Sequence, residues 1–180
     1  MKSEDFKMQI GADAIDFNLP GVDGDNYSLD SFKGKKLLVV VFTCNHCPYA
    51  QAYEKRLFSL AKEFSGKAAF AAINSNDSEN YPDDSFEKMK ERAAEKGFPY
   101  PYLHDESQKI ARAYGALVTP HIFVFGKSRK LIYQGGVDNN WENGDAATKQ
   151  YLYDALSAAS EGREIARKMA PVIGCSIKWK

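Results

Sequence analysis

The stretch Lys36–Thr43, KLLVVVFT, constrains the fold more than any other part of this 180-residue chain. It is apolar and rich in β-branched residues, with no alternation of polar and apolar positions. That is the pattern of a strand buried on both faces. Such a strand needs sheet neighbours along its edges and helices over both faces. The chain then turns directly into a helical pattern. Ala50, Tyr53, Leu57, Leu60 and Phe64 step by three and four, and Gly66 can end the helix. A second apolar strand follows at Ala68–Asn74, AAFAAIN. Strand, helix and strand in this order imply a parallel pair.

Around this unit the remaining elements are shorter. Residues 15–29 carry two half-apolar segments about Asp23-Gly24, a turn signal, and predict a hairpin. Asp84 and Glu87 stand at capping-box spacing ahead of Phe86, Met89 and Ala93, with Gly97 as the stop. A short helix fits 106–114, closed by Gly115. His121–Phe125 and Leu131–Val137 read as antiparallel strands joined by GKSRK, and Asp145 can cap a last helix through Leu152, Leu156 and Ala159. The tail, 163–180, has no periodicity. With no internal repeat or linker, the expected architecture is one α/β domain over 1–180. A central mixed β-sheet is flanked by helices on both faces, with an N-terminal β-hairpin extension (1–35) and a C-terminal tail (163–180).

Lys plus Arg number 24, as do Asp plus Glu, so the formal net charge is zero. This removes the basic footprint of a nucleic-acid binder and the cationic surface that clings to anionic membranes. The N-terminal MKSEDFKMQIGADA lacks the apolar core of a secretory leader, and three cysteines are too few for a disulfide framework. The expectation is a cytoplasmic protein. In that reducing setting, a close cysteine pair points to catalysis or metal binding before structure.

That pair is Cys44 and Cys47, in VVVFTCNHCPYA, where the strand hands over to the helix. In a first helical turn, residues i and i+3 lie about 5–6 Å apart, within the Cα separation a disulfide tolerates. Free N–H groups and the positive dipole end favour a thiolate there. Pro48 fits a first turn because its missing N–H has no intrahelical partner to lose. His46, between the cysteines, can add positive charge near the Cys44 sulfur. On this reading Cys44 is the attacking thiolate and Cys47 resolves the mixed disulfide. Stabilising the thiolate favours the reduced form and makes the couple more oxidising. A structural zinc site usually needs two such pairs, and the chain has one.

With the segments IGADAIDFNLPGVDGDNYSLDSFKGKK, VVVFTCNHCPYA, FPYPYLHDESQKIARAYGALVTPHIFVF, LIYQGGVDNN and IGCSIKWK, the chain resembles the thioredoxin-fold redoxins. Within them it is similar to the peroxiredoxin-like, thiol–disulfide oxidoreductase-like (AhpC/TSA-type) branch. The CNHCP motif and the GCSIKW tail are its most specific features. The resemblance implies a thioredoxin-like fold, redox activity at Cys44 and Cys47, and no cofactor or metal. It implies a cis bond at Pro120, with Thr119 facing the cysteines and the two residues shaping a docking edge for an extended substrate. Thr43 takes the place of the Trp that thioredoxin carries before its first cysteine, and Leu38 falls where thioredoxin has a buried Asp. The peroxiredoxin signature P-x-x-x-T-x-x-C is not met. Counted from Cys47, its Thr and Pro positions hold Cys44 and Val40; counted from Cys44, they hold Val41 and Leu37.

The expected partners are a protein or small-molecule disulfide and a cellular thiol as electron donor, with no nucleic acid and no membrane. A homodimer stays open. Two alternatives remain beside the oxidoreductase: an antioxidant thiol peroxidase, and a copper or other metal-binding protein. Thioredoxin-fold copper chaperones space their cysteines one residue wider. His121, just past Pro120, could tune the thiolate, shuttle a proton or ligate a metal, against a strand-start histidine facing solvent. His104 reads as a loop residue near the sheet edge. Cys175 could be a third redox cysteine or a small buried apolar residue. Trp141 could mark a partner contact or anchor its loop.

Overall fold

A computed structural model describes residues 5–180; the first four residues of the N-terminal extension lie outside the described residues. The strands are β1 (Leu19–Pro20), β2 (Asn26–Tyr27), β3 (Leu37–Thr43), β4 (Ala68–Asn74), β5 (Tyr102–His104), β6 (Val118–Thr119), β7 (His121–Phe125), β8 (Leu131–Gly135) and β9 (Cys175–Ser176). The helices are α1 (Pro48–Glu63), α2 (Phe86–Lys96), α3 (Lys109–Tyr114) and α4 (Tyr151–Glu161). Five strands form the central sheet in the order β5-β4-β3-β7-β8. β3, β4 and β5 run parallel, and β7 and β8 are antiparallel to their neighbours. β1 and β2 form the expected N-terminal hairpin.

The unbroken apolar run of β3 has a direct cause. Leu37, Val39 and Val41 pack against Tyr53, Leu57 and Leu60 of α1 and Leu152 and Leu156 of α4. Leu38, Val40 and Phe42 face the opposite way, onto Ala111 and Tyr114 of α3 and Phe17 and Phe32 of the N-terminal extension. Both faces of the strand are therefore core. α2 lies beside α1, held by a two-pronged ion pair in which Arg92 Nε and Nη2 donate to Glu54 Oε1 and Oε2 at 2.7 and 2.9 Å.

Four expectations are corrected. The cap of α2 is Ser85, whose hydroxyl accepts from the Lys88 N–H, while Asp84 turns inward and is fully buried. Asp145 lies in a separate short turn, Gly144–Ala146, and α4 starts at Tyr151 with Gln150 at its cap. The intervening Thr148 and Lys149 donate their N–H groups to Asn139 Oδ1 instead of entering the helix. The 106–114 helix begins only at Lys109, because Gln108 ahead of it adopts a left-handed φ of 61°. His104 belongs to β5, a parallel strand of the sheet, and its ring stacks on Phe86 at 5.4 Å. Among the described residues no helix is long and apolar enough to cross a membrane.

Candidate active site at the start of helix α1

Helix α1 begins at Pro48, and Cys47 is its N-cap, with an extended backbone at φ −74° and ψ 120°. Cys44 therefore lies before the helix, and the two cysteines do not share its first turn. Proline explains the boundary. It is favoured at the first helical position and pushes the preceding residue out of the helical region. The helix-terminus argument made for Cys44 passes to Cys47, whose sulfur accepts from the Ala50 N–H at 3.5 Å.

Both sulfurs of the pair are buried, Cys44 at 2% exposure and Cys47 at 0%. The Thr119 hydroxyl lies 3.3 Å from Cys44 Sγ, and the Thr119 carbonyl oxygen lies 3.1 Å from Cys47 Sγ. Thr119 thus meets both cysteines, and the Thr119–Pro120 bond is cis, the isomer the resemblance implies. Thr43, nearly buried, ends β3 opposite Asn74 and delivers the chain to Cys44.

A hydrogen bond from the Cys44 thiol is the main cause that pulls Cys47 down to about 4. The Cys175 thiol, Thr119 and the Ala50 N–H add to it, and desolvation opposes them. The Thr119 carbonyl also opposes ionisation, since a thiol donates to it and a thiolate is repelled by it. The several donors outweigh that single acceptor. Cys44 moves the opposite way, raised by its hydrogen bond to Cys47, by burial and by the charge of Asp84. These opposite shifts favour the thiolate at Cys47 and the proton at Cys44. The thiolate is the deprotonated form, so its ultraviolet absorption should be complete at neutral pH and fall as pH drops through about 4. Cys47→Ser should remove that step. A wild-type titration with steps only near the ordinary thiol value of about 8.5 would contradict the assignment.

His46 does not bring an uncompensated positive charge to Cys44. Its Nδ1 lies 2.5 Å from Asp84 Oδ2, and its ring stacks on Tyr81 at 5.6 Å. Asp84 was absent from the sequence-based candidates and organises the turn between the cysteines. Its Oδ1 accepts from the Asn45 N–H at 2.6 Å and from Asn74 Nδ2 at 3.3 Å, and its Oδ2 accepts from Asn76 Nδ2 at 2.8 Å. Asn45 is fixed further by the Tyr102 hydroxyl at 2.9 Å and, through its own amide, by the Asp83 carbonyl at 2.8 Å. Donor atoms of Cys44, His46 and Asp84 lie within 4.8 Å of one another, a spacing that could surround a metal ion. Asp84, however, already accepts from the Asn45 N–H, Asn74 and Asn76 and pairs with His46, which leaves it little to offer a cation.

His121 is wholly buried, so it does not face solvent, and among the described residues it is not part of the donor cluster of Cys44, His46 and Asp84. Its Nδ1 accepts from the Leu117 N–H at 3.4 Å, and its ring packs between Phe6 and Phe123. Burial alone pushes it down to about 3, and it stays neutral. Trp141 anchors its loop: it packs on Tyr49 at 4.5 Å, and Arg56 binds the Asn140 and Trp141 carbonyls at 2.7 and 2.6 Å.

The docking edge expected beside Pro120 is already occupied. β9, from the C-terminal tail, pairs antiparallel with β6, Val118 opposite Ser176 and Thr119 opposite Cys175. This sets Cys175, half-buried, against the cluster of Cys44, Cys47 and Ala50. Burial and the neighbouring Cys47 push the Cys175 thiol up to about 11.

Comparison with solved structures finds chains of the same fold. An uncharacterized conserved protein from Geobacillus kaustophilus is 42% identical, with a TM-score of 0.91 over 97% of this chain and 94% of that one. A hypothetical protein from Sinorhizobium meliloti 1021 is 35% identical, with a TM-score of 0.91 over 97% and 96%. The peroxidoxin BcpB from Mycobacterium tuberculosis is 21% identical, with a TM-score of 0.66 over 88% and 100%, and shares the thioredoxin-like fold. Comparison with curated proteins gives no match. The profile of the AhpC/TSA family matches residues 10–134, which span β1 to β8 and include both cysteines of the pair. The fold and this match carry a redox function. The chain belongs to the AhpC/TSA family.

Proposed function

We propose that this protein is a thiol–disulfide oxidoreductase in which Cys44 and Cys47 cycle between dithiol and disulfide, with Cys47 as the reactive thiolate. The observation that carries this reading is the Cys47 sulfur at the N-cap of α1, accepting from the Ala50 N–H and packed with Cys44 and Cys175. The Cys47 thiolate attacks a substrate disulfide and expels one substrate thiolate. The Cys44 sulfur then attacks the Cys47 sulfur of the mixed disulfide. The Cys44–Cys47 bond forms, the second substrate thiolate leaves, and the Cys44 proton goes with it. Two electrons pass to the substrate, and a cellular thiol returns them. The substrate is a protein or small-molecule disulfide, and a reducing, cytoplasmic setting keeps the pair ready. His46, Pro48, Thr43, Thr119 and Pro120 support the pair.

A second reading, a thiol peroxidase, is favoured by one feature. The Cys47 sulfur has no exposed surface, which suits a very small oxidant. Cys47 would then attack a peroxide oxygen, giving a sulfenic acid, and Cys44 would displace water to form the same disulfide. Steady-state turnover with glutathione as donor separates the two. Reduction of a model protein disulfide, lost in Cys47→Ser, is the expected result. Hydrogen peroxide consumption with no disulfide turnover would replace the oxidoreductase with the peroxidase.

A further inference from the structure

We propose that Cys175 is the port of this redox centre: it forms a disulfide with Cys47, and its sulfur is the one that external thiols attack. The inference rests on the reading of Cys47 as the reactive thiolate. It starts from an access problem. The Cys44–Cys47 pair is buried, whereas Cys175 is half-buried next to Ile173, which is 43% exposed. Cys175 is thus the most solvent-accessible of the three cysteines.

The tail is built to hold that sulfur in place. Cys175 stands opposite Thr119 in the β6–β9 ladder, and the Thr119 carbonyl is the group 3.1 Å from Cys47 Sγ. Cys175 packs against the cluster that Cys44 and Cys47 form with Ala50. Gly174 makes the approach feasible: a Cβ there would lie 2.2 Å from the Thr119 oxygen. Beyond Cys175, Ile177 is buried at 3%, and Lys178 is tied at both backbone groups. Its N–H donates to Asn76 Oδ1 at 2.9 Å, and its carbonyl accepts from the Asp77 N–H at 2.8 Å and Gln108 Nε2 at 2.7 Å. Asn76 in turn donates to Asp84, so the strap and the Cys44–Cys47 turn share one hydrogen-bond network. The tail lies along the edge where an extended substrate was expected.

The Cys175 sulfur attacks the Cys47 sulfur of the Cys44–Cys47 disulfide; the Cys47–Cys175 bond forms, the bond to Cys44 breaks, and Cys44 leaves as a thiol with the proton that Cys175 gives up. A donor thiolate attacks the Cys175 sulfur of the Cys47–Cys175 disulfide. A bond forms between donor and Cys175 sulfurs, the bond to Cys47 breaks, and the electron pair leaves on Cys47. Cys47, held as a thiolate, is the better leaving group of the two. A second donor thiolate attacks the donor sulfur of this mixed disulfide, releasing the oxidised donor, and Cys175 takes up a proton. Two donor thiols lose two electrons and the protein disulfide gains them.

The test uses the full chain with Ellman's disulfide as probe, in the wild type, Cys44→Ser, and Cys44→Ser combined with Gly174→Ala. One equivalent of probe should release two equivalents of chromophore from Cys44→Ser, with peptide mapping placing the new bond at Cys47–Cys175. Adding Gly174→Ala, which keeps every remaining sulfur but pushes the strap away, should slow closure by at least about tenfold. In addition, the Cys44–Cys47 disulfide of Cys175→Ser should be reduced by glutathione at least about tenfold more slowly than oxidised wild type. Release of a single equivalent from Cys44→Ser, leaving a stable mixed disulfide, overturns the inference. So does unchanged reduction of Cys175→Ser. If the wild type bridges Cys44 to Cys47 while Cys44→Ser stalls, only the port fails. If no bond ever includes Cys47, the proposed function fails with it.

Discussion

Cys47→Ser is expected to abolish disulfide turnover, by on the order of 10³-fold or more, whereas Cys44→Ser keeps the first attack on a substrate disulfide. At neutral pH an ordinary thiol near 8.5 is only a few per cent thiolate, while Cys47 at about 4 is ionised throughout. Serine has no comparable anion, so the variant lacks both nucleophile and leaving group. Cys44→Ser removes a resolving sulfur but leaves a hydroxyl that can still donate to Cys47. Rates of mixed-disulfide formation in the two variants check this. Full turnover by Cys47→Ser together with an inert Cys44→Ser would return the attack to Cys44.

Asp84→Ala is expected to cost about 3–5 kcal/mol of folding stability, the scale of breaking a buried charged network by removing one partner. The carboxylate is wholly buried and accepts from the Asn45 N–H, Asn74 and Asn76 while pairing with His46. Alanine leaves the buried donors of Asn45, Asn74 and Asn76 without that acceptor. The loss falls on the turn between the cysteines and, through Asn76, on the C-terminal strap, so redox activity should decline along with stability. Denaturant unfolding of wild type and variant measures it. A difference under about 1 kcal/mol would mean that Asp84 does not organise the turn.

The parts of the fold visible in the sequence are those whose signal is local. β3 and β4 are uninterrupted apolar runs because both faces of each are covered, and Gly97 and Gly115 end their helices with left-handed φ of 65° and 67°. The start of α1 was also legible, since Pro48 marks the first helical position and makes Cys47 the cap. Treating Pro48 only as tolerated in a first turn moved the helix end by one turn, and with it the helix-terminus argument from Cys47 to Cys44. Asp84 was misread because an acidic residue before an amphipathic helix has the pattern of a cap, and its contacts with Asn45 and His46 span 39 and 38 positions. β5 and β9 are three and two residues long, too short for any periodicity. The placement of Cys175 depends on a pairing with Thr119, which a single sequence does not reveal.

A depressed Cys47 also sets the redox poise. With the thiol held below its ordinary value, the reduced state is favoured at pH 7 and the couple is more oxidising. The couple should therefore sit well above the value of about −270 mV typical of a reductant such as thioredoxin. The most direct measurement is a glutathione redox titration of the native protein, with acid trapping, alkylation and peptide mapping of all three cysteines. The account predicts a two-electron transition on the oxidising side of that value, with Cys47 in every disulfide recovered. Cys47 remaining reduced throughout, or a bond between Cys44 and Cys175 alone, would contradict it.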